Sequence, residues 1–321
     1  MAKVVITDWN FADLSVERAL LEPLGLEVVE GQAKTEEALL PLVAEADYVI
    51  TQFAPLTARV IGAMSRARII VRYGVGVDNV DLAAAAARGL PVCNIPDYCT
   101  DEVADHALAL ILSLTRRVPQ ISGHVKAGQW KLQVPVDQIL VLKALTVGLV
   151  GFGRIGQQVA RRLLACKARV LAYDPVADPE KVRAAGCEPV SLEELLAQSD
   201  LVSLHCPSTE QTRYLINRDS LARMKPGALL VNTSRGTLVR TEDLVAALRS
   251  GQLSAAALDV TDPEPIPGDS PLLGMEQVVI TGHIASVSVR AEQELRTTAA
   301  ELVAQAVRGE KLPNVVNGVG A

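Results

Sequence analysis

Four histidines could transfer a proton near neutral pH, and they occupy different kinds of position. His283 follows the apolar run VVITG and His205 lies near the end of DLVSLHC, so both are predicted at carboxyl ends of strands, where parallel sheets bind ligands. His106 falls early in an amphipathic helical pattern and His124 in an irregular segment, which favours packing or solvent exposure. We therefore take His283 as the candidate acid–base residue and His205 as a candidate cofactor contact.

Two charged residues follow neighbouring predicted strands and would lie with His283 on the ligand side of one sheet. Arg235 follows LLVNTS, and its planar guanidinium suits bidentate binding of a carboxylate. Glu264, in the loop DPEP, would stabilise the imidazolium and fix the ring if it reached His283. Hydride reduction of a 2-keto acid needs such a cation and such an acid. The alternative is that both charged residues are solvated and that the prolines beside Glu264 shape a turn.

A glycine pattern indicates a dinucleotide site. Gly151-x-Gly153-x-x-Gly156 follows the strand TVGLV and opens the helical run QQVARRLLA. The three glycines would allow a tight turn, close approach of a pyrophosphate and close packing of helix on strand. Asp174 ends the next strand, about 20 residues further on, where a carboxylate accepts hydrogen bonds from a ribose and repels a 2′-phosphate. We predict NAD rather than NADP, against the alternative of a surface aspartate.

These residues need a scaffold that brings strand ends together. Strand and helix patterns alternate from KVVITDW to PVCNIP and again from LTVGLVG to QVVITGH. The pattern predicts an α/β protein with two Rossmann-like or flavodoxin-like domains, each a doubly wound parallel sheet, and an active-site cleft between them. Between the two series, residues 118–143 read as an arm or extended loop rather than as core.

Composition excludes several classes of function. With 321 residues, 49% hydrophobic content and a mean hydropathy of +0.25, the chain can bury two cores. A net charge of -6 with scattered basic residues argues against nucleic acid and anionic membranes as partners. Five cysteines without a C-x-x-C pair fit a reducing cytoplasm, and no metal site is predicted. We expect neither a signal peptide nor a membrane span.

Several motifs, in order along nearly the whole chain, resemble the D-2-hydroxyacid dehydrogenase family. They are RYGVGVDNVD (72–81), DEVADHALALIL (101–112), GLVGFGRIG (148–156), MKPGALLVNTSRGTLV (224–239), ALDVTDPEP (257–265) and GHIA (282–285). The first two look closest to bacterial members resembling C-terminal-binding proteins, with similarity also to phosphoglycerate dehydrogenase and glyoxylate/hydroxypyruvate reductase. The resemblance implies a discontinuous substrate domain of residues 1–100 and 288–321 around an NAD domain of residues 101–287. It also implies a homodimer that packs through the inserted domain, with the helix from residue 101 and the dimerisation arm 118–143 as the candidate interface.

The resemblance assigns roles to residues one by one. It implies Arg235 as substrate-binding and catalytic, Glu264 as the partner of the histidine, and His283 as proton donor. It implies that the backbone of the loop Tyr73, Gly74, Val75 and Gly76 faces the substrate carboxylate. The NAD contacts that it implies are Gly151, Gly153, Arg154, Ile155, Gly156, Asp174, Cys206, Pro207, Thr212, Thr233, Ser234, Arg235, Asp259, His283 and Ser286.

The activity implied is reversible hydride transfer between NAD(H) and a small 2-keto or 2-hydroxy acid, such as glyoxylate or hydroxypyruvate. Two alternatives stay open: an NAD-sensing scaffold like the C-terminal-binding proteins, and a phosphite dehydrogenase-like oxidoreductase. Three residues depart from the usual pattern beside the histidine: Gly282 stands where proline is usual, and Ser286 and Val287 follow GHIA. We expect a looser loop at Gly282.

Overall fold

The computed structural model describes residues 1–320 of the chain, which divide into two compact units. One unit, here called the terminal unit, consists of Met1–Cys99 and the chain from Ser288 onward. The other, here called the inserted unit, is Thr100–Val287. Each unit is built on one parallel sheet, so the predicted class of two parallel-sheet α/β domains is confirmed.

All strands run parallel within their sheets. The strands are β1 (Ala2–Ile6), β2 (Leu26–Glu30), β3 (Tyr48–Thr51), β4 (Ile70–Arg72), β5 (Val92–Cys93), β6 (Thr146–Val150), β7 (Arg169–Tyr173), β8 (Glu188–Pro189), β9 (Leu201–Leu204), β10 (Ala228–Asn232), β11 (Leu253–Leu258) and β12 (Val278–Ile280). The α-helices are α1 (Ser15–Leu21), α2 (Glu36–Val43), α3 (Ala58–Ala63), α4 (Leu82–Ala87), α5 (Thr100–Arg116), α6 (Val118–Lys126), α7 (Arg154–Ala165), α8 (Pro179–Ala184), α9 (Leu192–Gln198), α10 (Arg218–Arg223), α11 (Thr241–Ser250) and α12 (Val289–Arg308).

The terminal unit has a five-stranded sheet in the order β2-β1-β3-β4-β5. This is the flavodoxin-like order, in which β2 is added on one side of β1 and the later strands β3, β4 and β5 are added on the other side. Its central strands are buried on both faces, which is why they appear in the sequence as unbroken β-branched runs. A hydrophobic core packs α2, α3 and α4 against one face.

The inserted unit has a seven-stranded sheet in the order β12-β11-β10-β9-β6-β7-β8, the doubly wound order expected of a dinucleotide fold. Alternate residues of β6 enter opposite cores: Val147 and Leu149 pack on the side of α5 and α7, and Val150 packs on the side of α9, α10 and α11. Strand order reverses between β6 and β9, and the loops after these two strands therefore border the crevice where such sheets bind ligands.

The arm is more regular than the sequence suggested. Residues 118–126 form the helix α6, with Pro119 in its first turn, where a missing N–H removes no intrahelical hydrogen bond. The expectation of an irregular start to the arm was wrong, because the helix continues through Gly123. None of the helices in residues 1–320 is both long and apolar enough to cross a bilayer.

A buried ion pair joins the two ends of the chain within the terminal unit. Arg296, on α12, pairs with Glu17, on α1, at 2.8 Å, and their side chains are 7% and 0% exposed. The Tyr73 hydroxyl donates to the same carboxylate at 2.9 Å, and Phe11 packs edge-on against the Tyr73 ring. The carboxylate of Glu17 on α1 thus connects three segments that are distant in sequence: α1, the residue after β4 and α12.

Replacing Arg296 with methionine would leave the Glu17 carboxylate buried without its guanidinium. We expect Arg296→Met to lower the free energy of unfolding of the terminal unit by about 3–5 kcal/mol. The chain has two tryptophans, Trp9 in the terminal unit and Trp130 in the inserted unit. Urea unfolding followed by Trp9 fluorescence, in a Trp130→Phe background, would measure the loss in the relevant unit.

The control for this prediction lies on the same helix. Arg308 forms an exposed ion pair with Glu310, in which both side chains are 48% exposed. Arg308→Met should cost no more than about 1 kcal/mol. Equal losses for the two arginine variants would contradict a special role for the buried pair.

Candidate active site

The glycine turn between β6 and α7 is packed against backbone at its first and last glycine and open at the middle one. Gly151 has φ +100°, and a Cβ there would lie 2.6 Å from the carbonyl carbon of His205. A Cβ on Gly156 would lie 2.2 Å from the oxygen of Gly151, whereas a Cβ on Gly153 would meet nothing within 4 Å. Gly153 is also the N-cap of α7, without a capping side chain, so the N–H groups of the first turn face this open space.

Two buried polar atoms at neighbouring strand ends lack partners among the described residues. The Thr233 hydroxyl follows β10, and Nδ1 of His205 follows β9. Buried polar groups are normally hydrogen-bonded, so orphaned ones at a sheet edge are suited to a polar ligand. Together with the open Gly153 cradle, these atoms fit a dinucleotide lying across the strand ends.

His205 is not suited to proton transfer. Burial lowers its pKa to about 4, so the ring is neutral at physiological pH. Its Nε2 is 2.9 Å from the Ser203 hydroxyl, and its backbone packs under Gly151. The structure thus places His205 beneath the glycine turn, beside the predicted cofactor contacts.

Asp174 lies one residue beyond β7 and holds two stretches of backbone. One carboxylate oxygen accepts the N–H of Phe152 at 2.7 Å, and the other accepts those of Val176 and Ala177 at 2.9 and 3.2 Å. A carboxylate has about four acceptor positions, so capacity for a ribose hydroxyl remains. The carboxylate of Asp174 therefore holds the glycine turn, and it is also the group predicted to bind the adenosine ribose of NAD.

The loop after β9 contains three more of the predicted cofactor contacts. The Thr212 hydroxyl donates to the carbonyl of Pro207 at 2.8 Å, which closes this loop on itself. Burial raises the pKa of the Cys206 thiol to about 11, so it stays protonated. Ser208 links the loop to Thr237, just beyond Arg235, through hydroxyls 2.7 Å apart.

Arg235 sits on a turn that is held from both sides. Asn232, at the end of β10, accepts from the N–H of Ser234 and donates to the carbonyl of Arg235. A Cβ on Gly236 would lie 1.9 Å from the carbonyl oxygen of Thr261. The Arg235 turn therefore packs directly against the start of the loop that carries Glu264.

Glu264 and His283 are brought together as predicted from the residues. Oε1 of Glu264 and Nδ1 of His283 are 2.5 Å apart, and the two side chains are 41% and 29% exposed. The peptide bonds that precede Pro263 and Pro265 are both cis. A carboxylate on Nδ1 fixes the ring and makes Nε2 the nitrogen that faces a ligand.

The loop of His283 is anchored by Asp259. His283 has φ +55°, a left-handed conformation that side-chain-bearing residues seldom adopt. The backbone oxygen of Asp259 accepts the N–H of His283 at 2.7 Å, and its carboxylate accepts those of Ile284 and Ala285 at 3.0 and 2.9 Å. A Cβ on Gly282 would meet nothing within 4 Å, and Ser286, after the anchored residues, is half-buried.

The predicted substrate loop of the terminal unit can be described by itself. Tyr73 is buried, with its hydroxyl on Glu17, and the N–H of Gly74 donates to the carbonyl of Arg72. A Cβ on Gly74 would lie 1.6 Å from a guanidinium nitrogen of Arg72. Within residues 1–320, the N–H groups of Val75 and Gly76 donate to no backbone acceptor, so both remain available to a ligand.

Sequence reasoning missed three residues that hold this site. Asn232, at a strand end next to a turn, was a recognisable Asx signal. His106 and Thr281 were not recognised: the ring of His106 reaches the hydroxyl of Thr281 at 3.0 Å, although 175 positions separate them. Neither residue has a local signal that would predict the contact.

Comparison with known proteins agrees with the geometry. Residues 108–285 match the family model for the NAD binding domain of D-isomer specific 2-hydroxyacid dehydrogenases. A glyoxylate reductase from Korarchaeum cryptofilum is 40% identical over 290 residues, which are 88% of this chain and 86% of the relative. A D-lactate dehydrogenase from Aquifex aeolicus, in complex with NAD and lactic acid, has a TM-score of 0.86 and 31% identity over 96% of each chain.

Other relatives are longer than this chain. A D-3-phosphoglycerate dehydrogenase from Mycobacterium leprae is 40% identical over 304 residues, which are 94% of this chain but only 57% of the relative. The chain thus spans little more than half the length of the phosphoglycerate dehydrogenase that it matches.

Proposed function

Because the chain belongs to the D-isomer specific 2-hydroxyacid dehydrogenase family, we propose that it transfers hydride reversibly between NAD(H) and a small 2-keto or 2-hydroxy acid. The observation that carries the proposal is the 2.5 Å contact between Glu264 and Nδ1 of His283, at the same sheet edge as the glycine turn. Glyoxylate, hydroxypyruvate and related keto acids are the proposed substrates.

His283 is the proposed acid in the reducing direction. With Nδ1–H held by Glu264, the imidazolium gives the proton on Nε2 to the oxygen of the keto group. The ring that remains is neutral and keeps its hydrogen bond to Glu264. In the oxidising direction the same Nε2 takes the proton of the hydroxyl group, so one residue serves both directions.

Arg235 is the proposed anchor of the substrate. Its guanidinium binds the carboxylate in a bidentate manner and places positive charge beside the keto oxygen, where negative charge develops. The N–H groups of Val75 and Gly76 are proposed to bind the same carboxylate. Tyr73, whose hydroxyl is held by Glu17, acts by positioning that loop.

The glycine turn is the proposed site of the cofactor. When bound there, NADH would supply the hydride to the keto carbon. The pyrophosphate would be held at the start of α7 by Gly151, Gly153, Arg154, Ile155 and Gly156. The nicotinamide and ribose contacts are proposed to be Asp174, Cys206, Pro207, Thr212, Thr233, Ser234, Asp259 and Ser286. The charge of Asp174 favours NADH over NADPH.

We also propose a homodimer formed through the arm of residues 118–143. Large apolar side chains stand out from it: Trp130 is 87% exposed, Val136 73%, Val118 56% and Leu132 51%. Several large exposed apolar side chains within one segment favour an interface there. A second copy of the chain is the proposed partner. We also propose a cytoplasmic location, a reducing compartment in which cysteines such as Cys93, Cys187 and Cys206 stay free of disulfides.

The first prediction tests the activity. Purified protein with NADH should reduce at least one of glyoxylate, hydroxypyruvate, pyruvate and phosphohydroxypyruvate, measured as loss of absorbance at the nicotinamide band. His283→Gln should lower kcat by about 10²- to 10⁴-fold while the Kd for NADH stays unchanged. His124→Gln, which removes a histidine of α6, is the control and should keep full activity.

Other outcomes would identify the alternatives. If NADH binds but no keto acid is reduced, the proposed function is wrong. NADH formation from NAD and phosphite would then favour phosphite oxidation, and protein partners retained only with NADH would favour a scaffold.

The second prediction concerns the choice of cofactor. Asp174→Asn removes the charge that repels a 2′-phosphate and keeps an acceptor oxygen for the backbone. We expect the ratio of kcat/KM with NADH to that with NADPH to fall at least about tenfold, or about 1.4 kcal/mol. Glu180→Gln, at an exposed carboxylate nearby, should leave the ratio unchanged. A ratio that does not move in Asp174→Asn contradicts the assigned role.

The third prediction concerns assembly. Trp130→Asp combined with Val136→Asp places two charges in the proposed interface and should convert a dimer into a monomer, measured by sedimentation velocity. Val176→Asp, at a valine 91% exposed outside the arm, is the control and should leave the mass unchanged. A wild-type protein that sediments as a monomer would refute the homodimer.

A further inference from the structure

We propose that His106 is a positioning residue for proton transfer, holding the loop of His283 through Thr281 and Asp259. The inference rests on the proposed function, because it concerns the residue assigned there as the acid. It assigns a role to a histidine that the sequence placed among packing or solvent-facing residues.

The three side chains form a directed hydrogen-bond chain. Nε2 of His106 is 3.0 Å from the hydroxyl oxygen of Thr281, and that hydroxyl is 2.5 Å from Oδ1 of Asp259. A carboxylate can only accept, so the hydroxyl donates its proton to Asp259 and its oxygen accepts from His106. His106 must therefore carry a proton on Nε2.

Asp259 is the member of the chain that acts on the loop. Its side chain is fully buried, and its backbone and carboxylate oxygens bind the N–H groups of His283, Ile284 and Ala285. These three bonds hold His283 at φ +55°, which is costly for a residue with a Cβ. The orientation of the Asp259 carboxylate thus fixes the backbone of Ile284 and Ala285 next to His283, while Glu264 holds the ring itself.

Thr281 and His106 decide that orientation. Oδ1 of Asp259 accepts both the Thr281 hydroxyl and the N–H of Ile284, so a hydroxyl that rotates away would free the carboxylate to turn. Nε2 of His106 also lies 3.5 Å from Oδ1 of Asp259, so the ring lies directly beside the carboxylate. Because His106 lies on α5, which packs along β10 and β11, the loop is tied to a rigid element rather than to another loop.

Two variants of His106 distinguish a role of its hydrogen bond to Thr281 from a role of the ring in packing alone. His106→Phe keeps a ring of similar size but removes the donor, whereas His106→Gln can place an amide N–H near the position of Nε2. We expect kcat for keto-acid reduction to fall about 10- to 100-fold in His106→Phe, with the KM for keto acid within about twofold of wild type. His106→Gln should recover most of that loss.

Thr281 supplies a second, independent variant. Thr281→Val removes the hydroxyl at nearly constant shape and should reduce kcat as much as His106→Phe does. In the double variant the losses should not add, because both break the same chain. Additive losses, or equal losses in His106→Phe and His106→Gln, would overturn the proposal.

A readout that does not depend on turnover keeps this inference apart from the proposed function. Hydrogen exchange of the Ile284 and Ala285 amides, measured by mass spectrometry, should become faster in His106→Phe and Thr281→Val and stay slow in His106→Gln. If the wild-type protein reduces no keto acid, the proposed function is wrong, but the exchange rates still test whether His106 holds the His283 loop. Unchanged exchange and unchanged kcat in His106→Phe would show that His106 only packs.

Discussion

At the edges of a parallel sheet, the strands end and the loops leave with backbone N–H groups that no neighbouring strand accepts. Leaving one such group buried and unpaired costs about 1–3 kcal/mol. In this protein buried or half-buried carboxylates supply the missing acceptors. Asp8 binds the N–H groups of Gln52 and Phe53, Asp174 binds that of Phe152, and Asp259 binds those of Ile284 and Ala285. In each case, a residue just after one strand holds the loop after a neighbouring strand.

This interaction explains why the site can be assembled from flexible pieces. The glycine turn, the Arg235 turn and the His283 loop all follow strands, and each is held by a polar side chain at a strand end. For the glycine turn and the His283 loop this side chain, Asp174 or Asp259, comes from a neighbouring strand. For the Arg235 turn it is Asn232, at the end of the same strand. The positions of the site residues are therefore fixed by the rigid strands, because short polar side chains with few rotamers connect the strand ends to the loops.

The elements and the cofactor turn were predictable because their signals are local. A β-branched run, a glycine spacing and an aspartate at the next strand end occur within some 30 residues, and the structure has the strands in those places. The pairing of Glu264 with His283 could be anticipated from neighbouring strands, since both end at one sheet edge. The two-residue strand β8 was missed because it is too short to show a pattern. The contact of His106 with Thr281 could not be predicted. The pattern of α5 shows which face of the helix is apolar, but it does not show which distant loop its polar residues contact.

The ion pair between Glu17 and Arg296 has a consequence for synthesis of the chain. The two residues are 279 positions apart, and at about 5–20 residues per second a ribosome needs roughly 14 to 56 s to travel between them. During that interval the inserted unit emerges whole and can fold, while the first ninety-nine residues lack the helix that neutralises their buried carboxylate. Until α12 has been synthesised, the nascent N-terminal segment is thus exposed to chaperones and proteases.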